Sequence, residues 1–175
     1  MNMTDLLKKI QTRRSIRKFK QDRIPREILD QIITAGTYAA TGMNTQSPII
    51  IAVTNKEMRD KLSAMNAKIM GSKGDPFYGA PVILIVLADK SCANRVYDGS
   101  LVMGNLMLAA HELGIGSCWI HRAKEEFETE EGLEILKSLG ITGEYEGIGH
   151  CALGYVDGDY PGIPDRKDGW VYYVE

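Results

Sequence analysis

The run Asn105-Leu-Met-Leu-Ala-Ala-His-Glu-Leu-Gly-Ile-Gly-Ser-Cys-Trp-Ile120 passes from a helix pattern into a strand pattern across one glycine. Back to about Asn94 the segment is apolar nearly all round and Gly114 ends it, the pattern of a helix that is central or lies at a subunit interface. Ile115 to His121 then reads as a strand. The same alternation continues on both sides. Pro81 to Ala88 is the clearest buried strand, with Ile49 to Thr54 and Gly147 to Tyr155 as further ones. Leu6 to Ile10 is a short amphipathic helix. Pro25 is expected at the first position of a second helix, whose face is Ile28, Leu29, Ile32 and Ile33. Asn55 is expected to cap a helix carrying Met58, Leu62, Met65 and Ile69. Residues 124 to 139 read as acidic and helical with a break at Gly132. The tail Trp170-Val171-Tyr172-Tyr173-Val174 has high β propensity and is expected to pair with a sheet, its own or a partner's. These elements make a mixed α and β architecture, one sheet with helices on both faces, and residues 1–175 form a single domain.

Composition narrows the function classes. The chain is 44% hydrophobic and 25% charged with a net charge of −2, as for an ordinary soluble protein. Its apolar runs are too short for a bilayer, and its N-terminus has no apolar signal core. Three cysteines, Cys92, Cys118 and Cys151, have no framework spacing, so free thiols and a cytoplasmic location are expected. A sequence pI near 6 argues against a general nucleic-acid binder.

Positive charge is nevertheless concentrated. Residues 8 to 26 hold nine Lys or Arg and one acid, Asp22. Within this stretch Arg13-Arg14-Ser15-Ile16-Arg17 gathers three planar guanidinium forks and a hydroxyl, donors suited to a phosphate. Such a local cluster fits a small anionic ligand better than a polynucleotide. The loop Thr41-Gly42-Met43-Asn44-Thr45-Gln46 adds two side-chain amides, each pairing a donor with an acceptor, suited to an imide edge. A ligand with a phosphate at one end and a flat imide at the other is described by FMN.

Other patterns carry less. Gly147-x-Gly149-x-x-Ala152 matches a dinucleotide fingerprint, but it lies within a strand instead of opening a helix. Cys118-x-x-His121 with His150-Cys151 could supply zinc ligands, except that adjacent strand residues point to opposite faces. A nucleophilic Cys118–His pair has no supporting context.

The matching stretches together resemble the nitroreductase family of FMN-dependent oxidoreductases. They are residues 13–19 (Arg-Arg-Ser-Ile-Arg-Lys-Phe), 39–48, 78–86, 105–120, 152–155 and Arg166-Lys167, in register over nearly the whole chain. The resemblance implies an α+β three-layer sandwich with a central, mostly antiparallel sheet flanked by helices, and an intertwined homodimer with flavin at the interface. It implies that Arg13, Arg14, Ser15 and Arg17 hold the phosphate and the neighbouring flavin edge, with Arg166 returning to the phosphate. Asn44 and Gln46 would lie near the pyrimidine ring from the other subunit. Cys118, Trp119 and Ile120 would lie along the isoalloxazine, and His121 is a candidate substrate contact. Ser47-Pro48-Ile49 departs from the proline and aromatic that follow this glutamine in many relatives.

The resemblance further implies ping-pong chemistry. NADH or NADPH reduces FMN, and a flat electron-poor small molecule such as a nitroaromatic or quinone is then reduced, with hydride passing through flavin N5. No metal, membrane or nucleic-acid partner is expected. The alternative is a flavin-handling module with little such turnover.

Overall fold

Helix signals in the chain become helices at nearly the expected places. The computed structural model describes residues 3–175. Helix α1 is Asp5–Thr12 and α2 is Arg26–Thr37, with Pro25 just outside α2 and its carbonyl accepting from Ile28 and Leu29. Asn55 caps α3, Lys56–Met70, its side chain accepting from the Met58 N–H at 2.9 Å. The long helix α4 is Arg95–Glu112; beyond it Gly114 takes φ +74° and the Ile115 N–H closes back on Ala110. The acidic region is two helices, α5 (Ala123–Phe127) and α6 (Glu130–Ser138). Their break falls at Glu128–Thr129, not at Gly132, because the Thr129 hydroxyl caps α6 by accepting from the Gly132 N–H.

Four strands, β1 (Pro48–Val53), β2 (Val82–Asp89), β3 (Gly116–Ile120) and β4 (Tyr145–Gly154), form one sheet in the order β1-β2-β4-β3. All three pairings are antiparallel. Strand β2 is buried on both faces, and its period of two sorts the core. Ile83, Ile85 and Leu87 face a cluster with Leu62, Met65, Phe127 and Ile135 of α3, α5 and α6. Val82, Leu84 and Val86 face Leu29, Ile32, Met103 and Leu106 of α2 and α4. Three layers result. No helix among the described residues is long and apolar enough to cross a membrane.

The basic segment after α1 is laid against this sheet. Ser15 bridges Ser117 in parallel, extending the β3 edge, and the Ile16 N–H donates to the Ser117 carbonyl at 2.9 Å. Outside it the chain returns antiparallel: Lys20 donates to Tyr155, Phe19 bridges Val156, and Asp157 donates to Lys18. The expected strand at Trp170–Val174 does not form in this chain. Those residues are exposed and pair with neither sheet edge of their own chain; along β3 that place is taken by Ser15.

Candidate functional site

The arginine cluster is held in place by its own backbone and presents donors that nothing in the chain answers. Arg14 sends Nε to the Gly162 carbonyl and Nη1 to the Gln11 carbonyl, both at 2.9 Å. Arg14 Nη2, Arg13 Nη1 and Ser117 Oγ are buried and have no partner among the described residues. Buried polar groups are nearly always hydrogen-bonded, so unpaired cationic N–H groups beside a β-bridge are donors suited to an anion. Arg17 stays exposed.

From Arg17 a cleft of about 350 Å³ runs along Cys118, Trp119, Ile120, His121 and Arg122, walled on the other side by Asp75, Pro76 and Tyr78. Its two walls are fastened from behind. The side chain of Asn66, fully buried in α3, donates to the His121 carbonyl at 2.8 Å. Asp75 accepts from Ser63 at 2.6 Å, from the Phe77 and Gly79 N–H groups, and from Arg59. Burial raises the Asp75 pKa, but these donors outweigh it and hold the carboxyl below its ordinary value. Tyr78 and Arg122, which face each other's walls, both carry positive φ, 54° and 76°. Such strain collects where a site needs it. Burial pushes the Cys118 thiol up against the opposing pull of Arg17, Ser15 and Arg13, so it lines the cleft as a neutral group. His121 is exposed at the end of β3. A larger cleft of about 440 Å³, bordered by Gln21, Arg23, Lys56 and Arg59, contains none of the expected site residues.

The amide loop is elsewhere. Met43, Asn44 and Gln46 take φ of 54°, 55° and 49°, and Met43 is 96% exposed. The loop is pinned from below, where the Gly42 N–H donates to Asp98 at 3.0 Å and the Gln46 N–H to Thr41. Gln46 Nε2 donates to Asn44 Oδ1 at 3.2 Å, so the two exposed amides are aligned with each other. The loop leads into Pro48, paired with Ala88 at the far end of β2, whereas Ser117 sits level with Val82 at the near end. Three strand spacings and six residues of rise place these corners roughly 25 Å apart. One chain therefore does not bring Asn44 and Gln46 to Arg13, Arg14, Ser15 and Arg17. Arg166 is exposed on the tail, a few residues past Gly162.

His150 and Cys151 lie on opposite faces of β4, His150 with Phe77 and Glu126, Cys151 in the α2–α4 layer. Among the described residues no three His, Cys, Asp or Glu side chains could share a metal ion. Sequence reasoning missed Asn66, Asp75, Tyr160 and Gly162. Asn66, Tyr160 and Gly162 act through contacts distant in sequence; Asp75 also closes its own turn through the Phe77 and Gly79 N–H groups, but its bonds to Ser63 and Arg59 have no local signal.

The comparisons agree with this geometry. The model of the nitroreductase family matches residues 10–155. A nitroreductase with bound FMN from Bacteroides fragilis has the same fold, with a TM-score of 0.88 and 29% identity over 99% of this chain and 100% of that one. A relative in Methanothermobacter thermautotrophicus, provisionally named NADH dehydrogenase/NAD(P)H nitroreductase, is 34% identical over 66% of this chain and 60% of its own length. The FMN reductase [NAD(P)H] of Bacillus subtilis is 28% identical over 66% of this chain and 53% of its own. This chain thus spans little more than half the length of those two curated relatives. Family match and fold concur, and the chain belongs to the nitroreductase family.

Proposed function

We propose that the protein is an FMN-dependent oxidoreductase that draws hydride from NADH or NADPH and passes it to a flat, electron-poor small molecule such as a nitroaromatic or quinone. The observation that carries this reading is the set of buried, unanswered donors at Arg13 Nη1, Arg14 Nη2 and Ser117 Oγ, close in sequence to Arg17 and Cys118, which line the cleft along β3. These donors suit a phosphate, and Arg17 stands between them and the cleft. The FMN-bound Bacteroides fragilis relative and the FMN reductase of Bacillus subtilis support the choice of cofactor.

Bound FMN would supply the hydride chemistry, so the residues need only bind, orient and leave one face accessible. Arg13, Arg14 and Ser15 hold the phosphate end. Cys118 and Ile120 face one wall, with the Trp119 indole turned to the α2–α4 layer behind it, and the strand end is kept rigid by the Asn66 bond to the His121 carbonyl. The His121 imidazole, exposed in the cleft, is placed to donate to an acceptor oxygen. Asn44 and Gln46 are supplied by a second copy of the chain. Their aligned amides lie about 25 Å from the arginines of their own chain, and α1 exposes Leu6, Leu7 and Ile10 while α4 exposes Val96, Tyr97 and Leu101. Apolar faces of this extent mark an interface.

The test is a visible spectrum of the purified protein, reconstituted with FMN, during anaerobic addition of NADH and then NADPH. A flavin band that bleaches with either nucleotide supports the reading. Flavin that binds but stays oxidised leaves a flavin-handling module, and no binding removes the cofactor assignment.

A further inference from the structure

Three segments distant in sequence meet behind the arginine cluster: the end of α1, the last turn of α4 and the returning tail. Thr12 Oγ donates to the Lys8 carbonyl at 2.8 Å, which leaves the hydroxyl oxygen as an acceptor. His111 Nε2, 2.9 Å away, must then carry the proton and donate to it. In the neutral ring Nδ1 is therefore an acceptor, and the Tyr160 hydroxyl, 3.0 Å from it, donates. The Tyr160 oxygen in turn accepts from the Arg14 backbone N–H at 3.1 Å. The opposite ring tautomer would leave the Lys8 carbonyl without this bond. The bonds thus run in one direction, from Arg14 through Tyr160, His111 and Thr12 to α1, with the His111 and Tyr160 rings stacked at 5.5 Å. Just beyond, the Gly162 carbonyl takes Arg14 Nε. The tail grips Arg14 by main chain and side chain together.

We propose that His111 and Tyr160 are positioning residues that hold Arg14 oriented for the cofactor phosphate. This rests on the FMN reading of the site. Without the relay the tail loses its side-chain hold on α4 and on the Arg14 backbone, so the Gly162 carbonyl two residues on no longer fixes Arg14 Nε, and binding the phosphate must order that bond again. Burial above all, and then the charges of Lys9, Arg13 and Arg14 with only Glu112 in opposition, keep the His111 ring neutral and Nδ1 available.

A positioning role is separated from a merely structural one by comparing FMN with riboflavin, which lacks the phosphate. Dissociation constants for both are measured by flavin fluorescence on the full chain, its Tyr160→Phe variant, and the His111→Ala and His111→Asn variants. Tyr160→Phe keeps the ring stack and removes the hydroxyl. It and His111→Ala are expected to weaken FMN about five- to tenfold and leave riboflavin unchanged. His111→Asn, which keeps an acceptor where Nδ1 stood, is expected to retain most of the FMN affinity. Unchanged FMN affinity in Tyr160→Phe and His111→Ala, or equal losses for both flavins, overturns the relay while leaving the cofactor assignment intact. A wild-type protein that binds neither flavin overturns the cofactor assignment itself.

Discussion

Arg14 directs two of its nitrogens to carbonyls and keeps Nη2 buried and unanswered, so on the proposed reading one charge-assisted bond goes to the phosphate. Such a bond contributes about 1.5–3 kcal/mol. At about 1.4 kcal/mol per decade, Arg14→Ala is expected to weaken FMN binding ten- to a hundredfold by calorimetric titration. An unaltered dissociation constant would remove the phosphate assignment. His111 gives a pH prediction. Burial first, then the charges of Lys9, Arg13 and Arg14, depresses its folded-state pKa below the ordinary 6.5. The unfolded chain then binds the extra proton first, so the stability from neutral His111 is full above about 6.5 and declines as pH falls toward the folded value. The flavin-free protein should lose melting temperature between pH 7 and pH 5.5, and His111→Asn should flatten part of that slope. Parallel slopes in the two proteins would show that His111 is not the group involved. The guanidinium cluster was legible in the chain because charge density is a local property. His111 and Tyr160 were not, being single ordinary residues whose meaning lies in contacts across 49 positions.

At the level of elements, Gly147-x-Gly149 shows how a pattern acquires the wrong meaning. These glycines flank a register shift between β2 and β4, and each is there for packing. A Cβ on Gly147 would lie 2.2 Å from the Ala123 backbone of α5, and one on Gly149 would lie 2.4 Å from the Trp119 indole. Gly147→Ala should therefore cost about 3 kcal/mol, as overpacking against backbone does, read as a lower urea midpoint at unchanged slope. A midpoint equal to the wild type would mean that α5 shifts freely. Gly132 follows the same logic: it was read as a helix breaker, yet it lets α6 approach Glu126, and the break belongs to Thr129. Helix α3 and strand β2 were readable because capping and periodicity are local. The Trp170–Val174 segment joins no strand of its own chain, because β propensity only says that a segment can pair.

For the whole molecule, sheet order decides more than any side chain. Arginines beside β3 and amides before β1 occupy diagonal corners of one four-stranded sheet, so a site using both is built from two copies. Chain signals named both halves of the site but not their separation, which depends on the non-consecutive neighbours β2 and β4. The most direct test mixes two variants, Arg13→Ala/Arg14→Ala and Asn44→Ala/Gln46→Ala, through unfolding and refolding together, and counts bound FMN. Each parent alone should hold little. In a random mixture about half the dimers are hybrid, and in each hybrid one of the two sites receives both intact halves. FMN is expected to bind at about a quarter of the wild-type amount. A mixture that binds no more than its parents would contradict a site shared between subunits.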